Sequence, residues 1–92
     1  MDKKLVLMRI EDNLTYREIS EKTNIKQSTV MNKIKRYVCY MYRDFVRNDC
    51  DLNYVSVLYN ISTDTSLKCL KEAEKFLHIG LCYSKVKKGK NT

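Results

Sequence analysis

Proline is absent from this chain, and glycine first occurs at position 80 and again at position 89. The two residue types that most readily stop a helix or turn the backbone are therefore missing from most of the sequence. Wherever apolar residues recur at helical spacing, a helix is the default, and the chain must turn with other residues. Polar breaks supply the turns: Glu11 and Asp12, then Asn24, then Asn48, Asp49 and Asp51, then Asn60.

Five helices are expected. The first covers about 3–11, with Leu5 and Met8 facing inward. A second runs over about 16–22, where Thr15 is the N-cap and Glu18 completes a capping box. The third begins near Gln27 and continues to about Arg47, because Val30, Ile34, Tyr37, Val38, Met41 and Phe45 make one stripe at helical spacing. A fourth occupies roughly 53–59. The fifth spans about 65–78, with Asp64 as its cap, Leu67, Leu70, Ala73 and Leu77 inward, and Gly80 ending it in a left-handed conformation. Beyond it "LCYSKV" alternates like a short strand, and "KKGKNT" forms a glycine-bearing tip or a loose end.

A chain of 92 residues fits one compact domain, taken as 1–92. Eighteen Lys and Arg against eleven Asp and Glu give a net charge of +7. That excess points to a polyanionic partner, nucleic acid before membrane. No apolar run approaches the roughly 18 residues of a membrane span, and "LVLM" at 5–8 is too short for a signal-peptide core. A cytoplasmic, nucleoid-associated protein is expected. The four cysteines form no CxxC pair and His78 is the lone histidine, so packed thiols are expected in place of a metal site. With no phosphate-cradling glycine loop and no paired carboxylates in an apolar setting, neither an enzyme nor a cofactor is expected.

The two halves resemble one another at a shift of 36 residues. Ser20 meets Ser56, Asn24 meets Asn60, Ile25 meets Ile61, Thr29 meets Thr65 and Lys35 meets Lys71. Ile19 with Val55, Met31 with Leu67 and Ile34 with Leu70 fill in between. Such repetition admits two units, one over 14–36 and one over 52–90. Each offers the parts of a helix-turn-helix: a small residue inside the first helix (Ser20, Ser56), an asparagine at a corner that needs positive φ, and an apolar residue after it. The second helix of the first unit then opens on "KQST", short polar residues that cap it and let its end approach phosphate.

Residues 9–36, "RIEDNLTYREISEKTNIKQSTVMNKIKR", resemble the helix-turn-helix of bacterial-type transcription regulators, notably the promoter-binding region 4 of sigma factors. Residues 60–90 are similar to the recognition helix and first wing strand of winged helix-turn-helix repressors. The resemblances imply an all-α fold of helix-turn-helix type, with a tandem arrangement as an open alternative and a short C-terminal β wing or basic arm. They imply double-stranded DNA as the partner.

On a helical wheel the stripe Val30, Ile34, Tyr37 and Met41 leaves Ser28, Asn32, Lys35 and Arg36 on the opposite side. Asn addresses adenine, Arg guanine, and Lys or Ser phosphate, so this face is competent to read bases. The expected DNA-binding set adds Thr15, Tyr16, Lys26, Gln27 and Thr29 from the first unit, Lys68 and Lys71 from the second, and Lys87, Lys88 and Lys90 from the tail. In the second unit Asp64 and Glu72 share the outward side with the lysines and would repel phosphate. The first unit is therefore expected to read bases, and the second to supply backbone contacts or dimer packing.

A small transcriptional regulator is the leading reading. A plasmid or viral partition (centromere-binding) adaptor stays open beside it, and a polymerase or a partition motor as a protein partner is unassigned. A homodimer is expected, with Tyr40, Tyr42 and Val46 beside the core stripe as seam candidates.

Overall fold

The structure, a computed structural model, describes residues 2–78. It contains five helices in the order α1 (Asp2–Ile10), α2 (Tyr16–Thr23), α3 (Gln27–Arg47), α4 (Leu52–Tyr59) and α5 (Thr63–Leu77). No strand occurs among the described residues. The expected strand and tip, with Gly80, Lys87, Lys88 and Lys90, lie outside them.

The long α3 is the axis, and each of the other four helices packs against it. Its stripe is buried as its spacing predicts: Val30, Ile34, Val38, Met41 and Phe45 are inaccessible to solvent. One apolar cluster draws on every helix, joining that stripe to Leu5 and Val6, Ile19, Leu52 and Val55, and Cys69, Leu70 and Ala73. Tyr37 packs at its margin, edge-on to Tyr59 with ring centroids 5.4 Å apart. The Tyr59 hydroxyl donates to Asp44 Oδ2 at 2.6 Å, which ties α4 to α3. Cys69 is a packed thiol, as expected, and burial, helped by the carboxylates of Glu72 and Glu11, pushes it up to about 12.

Asparagines make the corners after α2 and α4. Asn24 ends α2 at φ 60° and Asn60 ends α4 at φ 56°. In that region an L-residue with a Cβ is disfavoured, and the short asparagine side chain is one of the few that visits it routinely. The repeat seen in the sequence reappears in the backbone. At a shift of 36 residues, the bounds of α2 fall on those of α4, and the start of α3 falls on the start of α5.

Several expectations need correction. Val6, not Met8, is the deep residue of α1 beside Leu5, and Met8 packs at the edge of the core. The cap of α5 is Ser62, whose hydroxyl accepts from the Thr65 amide at 3.1 Å, so Asp64 lies inside the first turn instead. At the other end His78 takes the left-handed position, at φ 56°, two residues before the glycine expected to do so. Leu77, the last residue of α5, is 39% exposed and does not face inward.

Candidate nucleic-acid interface

The α2–α3 pair is set by local interactions. Thr15 caps α2 through a reciprocal box: its hydroxyl accepts from the Glu18 amide at 3.1 Å, and its own amide donates to the Glu18 carboxylate at 2.8 Å. Such a cap contributes about 1 kcal/mol. At the corner the Ser20 hydroxyl donates to the Ile25 carbonyl at 2.5 Å, and the Asn24 amide donates to the Ser20 carbonyl at 2.9 Å. Ile19 and Val30, both fully buried, fill the angle between the two helices. The small residue inferred at position 20 thus serves as a hydrogen-bonded latch on the turn as well as a space-saver.

With its core face fixed, α3 turns Ser28, Asn32, Lys35 and Arg36 outward, and all four are exposed. Lys26 and Gln27 are exposed at its start, and Thr29 is half-buried. "KQST" does not cap α3 as the sequence suggested. Lys26 occupies the N-cap position, no side chain accepts there, and the first turn contains no acidic residue. The side chains of Thr15, Asp51 and Ser62 cap α2, α4 and α5. The positive end of the α3 dipole thus has a lysine beside it and no capping side chain.

Thr15 is exposed at the start of α2, while Tyr16 is half-buried and engaged internally. Its hydroxyl donates to Glu72 Oε2, its ring lies 5.1 Å beneath the Arg9 guanidinium, and Phe76 flanks it at 6.3 Å. Arg9 completes the cluster with an ion pair to Glu72 Oε2 at 3.1 Å and a hydrogen bond to the Leu14 carbonyl at 3.2 Å. Burial alone would raise the Glu72 carboxyl. The Tyr16 hydrogen bond, the charge and hydrogen bond of Arg9, and the charge of Lys75 outweigh it and hold the group below its ordinary value. Burial and the bond to Glu72 push the Tyr16 phenol upward.

This cluster overturns one expectation about the second unit. Glu72 does not share the outward side of α5 with the lysines: it is 7% exposed and faces Arg9 and Tyr16. Lys68, Lys71 and Lys75 are exposed, and so is Asp64 at the far end of the helix. Residue spacing along α5 could not reveal this, because Arg9 and Tyr16 come from α1 and α2.

At the shift of 36 residues Ser66 stands where the first unit has Val30, and like Val30 it is fully buried. Its hydroxyl lies 2.9 Å from that of Ser56, so the two small residues satisfy one another between α4 and α5. Among the described residues no group of three His, Cys, Asp or Glu side chains is placed to hold a metal ion, and no helix is long and apolar enough to cross a membrane.

Residues 2–36 match the family model described as sigma-70, region 4. No curated protein and no solved structure matches the chain. The match covers α1, α2 and the first half of α3, the part of the chain that contains the capped helix, the asparagine corner and the exposed face of α3. Over residues 2–36 the chain is thus similar to the helix-turn-helix of sigma-70 region 4, a DNA-binding class.

Proposed function

We propose that the protein is a sequence-specific double-stranded DNA-binding protein, acting as a small transcriptional regulator and placing α3 in the major groove. The observation that carries this reading is the outward face of α3. Ser28, Asn32, Lys35 and Arg36 are all exposed opposite the buried Val30 and Ile34, on a helix whose start has neither a side-chain cap nor an acidic residue. Asn32 and Arg36 are the base-reading pair, and Lys26, Gln27, Ser28, Thr29 and Lys35 approach the flanking phosphates. Thr15 adds a contact at the start of α2. The tail lysines Lys87, Lys88 and Lys90 supply sequence-independent attraction.

The working form is a homodimer in the cytoplasm, since one small unit buries too little DNA for high specificity. Tyr54, Val57 and Leu58 form an exposed apolar stripe on α4, with Val57 81% exposed, and α4 contains no charged residue. In a chain bearing +7, α4 itself brings no like charge to a contact between two copies. This stripe is more continuous than Tyr40 and Val46, the exposed members of the seam read from sequence, where Arg43 lies 5.0 Å over the Tyr40 ring.

Enrichment of bound duplexes from a random pool, followed by mapping of the motif on genomic DNA, tests the reading. An isolated inverted repeat beside a promoter is the expected outcome. An iterated array of the motif would reassign the protein to partition, and enrichment of no motif would refute sequence-specific binding.

A further inference from the structure

The end of α1, the loop after it and one side of α5 enclose an open cleft of about 210 Å³. Its wall carries Arg9, Asn13, Lys68, Lys71 and Lys75, with Glu72 at its base. Such a space is large enough for a phosphate group together with waters. The lysines stand at i, i+3 and i+7 along α5, on one side of the helix.

The electrostatics favour an anion. Four basic side chains line the cleft against one carboxylate, and that carboxylate is already engaged by Tyr16, by Arg9 at 3.1 Å and by Lys75 at 3.6 Å. Glu11, which directly follows α1, accepts from the Thr65 hydroxyl at 2.8 Å. Glu72 is thus a fixed strut and offers an incoming anion little repulsion. The strut also locates the cleft: Tyr16, the first residue of α2, bonds to Glu72, so the cleft adjoins the start of the helix-turn-helix.

We propose that this cleft binds a phosphate group, and that its occupant is a backbone phosphate of the duplex whose bases α3 reads. The proposal rests on the DNA-binding reading and extends it to a second, sequence-independent anchor. Lys68, Lys71 and Lys75 provide charge, Asn13 provides an amide donor at a corner of φ 58°, and Arg9 and Glu72 hold the cleft in shape.

The test uses the full chain and Lys68→Gln/Lys75→Gln, two exposed positions whose replacement leaves the core intact, as circular dichroism will confirm. In one arm, each protein is titrated with the selected duplex and with a scrambled one over a range of salt. The double variant is expected to lose about tenfold or more on both duplexes and to show a salt slope lower by about two. In the second arm, isotope-labelled protein is titrated with inorganic phosphate, and the Asn13 amide signals are expected to shift in the wild type only. Unchanged affinity and slope in the double variant would overturn the assignment to a DNA phosphate, whatever the second arm gives. A phosphate-induced shift would then identify a site for free phosphate, and no shift would remove the site altogether. Failure of the wild type to distinguish the duplexes, with the variant still weaker on both, would refute sequence reading by α3 and leave the cleft standing.

Discussion

Asn24 and Asn60 stand 36 residues apart and adopt the same left-handed backbone, each closing an eight-residue helix with its amide donating to a serine carbonyl four residues back. This shared corner, in which Asn60 also donates to the Val57 carbonyl, makes the sequence repeat a structural one. It also predicts an unusual tolerance. Asn24→Gly and Asn60→Gly are expected to leave stability within about 0.5 kcal/mol of the parent, because glycine occupies this region without strain. Asn24→Ala and Asn60→Ala are expected to cost about 1 kcal/mol each, since a Cβ is disfavoured there. Urea unfolding of the four variants checks the ordering, and equal losses for glycine and alanine would contradict it.

The Ser56–Ser66 contact predicts strong non-additivity. Either serine alone changed to alanine leaves its partner hydroxyl buried without a bond, a loss of about 1–3 kcal/mol. The double variant Ser56→Ala/Ser66→Ala removes both polar groups and is expected to be no less stable than the better single variant. A double-mutant cycle by denaturant unfolding measures this coupling. Additive losses would mean the hydroxyls do not satisfy one another.

The sequence was most legible where one helix speaks for itself. The apolar stripe of α3 fixed both ends of that helix and its buried face, and the Thr15–Glu18 box fixed the start of α2. What stayed hidden came from contacts between distant segments. Glu72 reads as an outward charge by its place on α5 and turns inward only because Arg9 and Tyr16 arrive from the other half of the chain. Ser66 reads as a polar residue in the place of Val30 until Ser56 is placed opposite it. The exposed face of α3 was legible because it is the complement of the core stripe, whereas the cleft beside α5 needed the whole fold.

Acid should weaken the fold through Glu72. Its folded carboxyl is held below the ordinary value of 4.5. The resulting stability is fully present above the unfolded value and is lost as pH falls through the lower, folded one. Glu72→Gln is expected to lower stability near neutral pH by about 2 kcal/mol, because Arg9 and Tyr16 lose a charged acceptor. The same variant should lose less on acidification from about pH 5 downward. Parallel acid limbs for variant and parent, followed by thermal unfolding across pH, would show that Glu72 does not carry this dependence.

Dimerisation through α4 predicts a concentration-dependent mass. Sedimentation equilibrium at micromolar concentration is expected to give twice the 10.9 kDa of the chain, and Val57→Lys to reduce it to the monomer with the helical content preserved. A monomer in the wild type would remove the dimer and leave the tandem pair of units as the source of specificity. A dimer unaffected by Val57→Lys would move the seam away from α4.

The most direct test of base reading by α3 is the ratio of affinities for the selected and the scrambled duplex, measured by fluorescence anisotropy at fixed salt. Asn32→Ala and Arg36→Ala are each expected to cost about 1–3 kcal/mol on the selected duplex and to relax preference at particular base positions, so that the ratio falls. Lys87→Ala/Lys88→Ala should weaken binding to both duplexes alike and leave the ratio intact. An unchanged ratio in the Asn32 and Arg36 variants, with a collapse on replacing Lys68 or Lys71, would contradict the account and make α5 the reader.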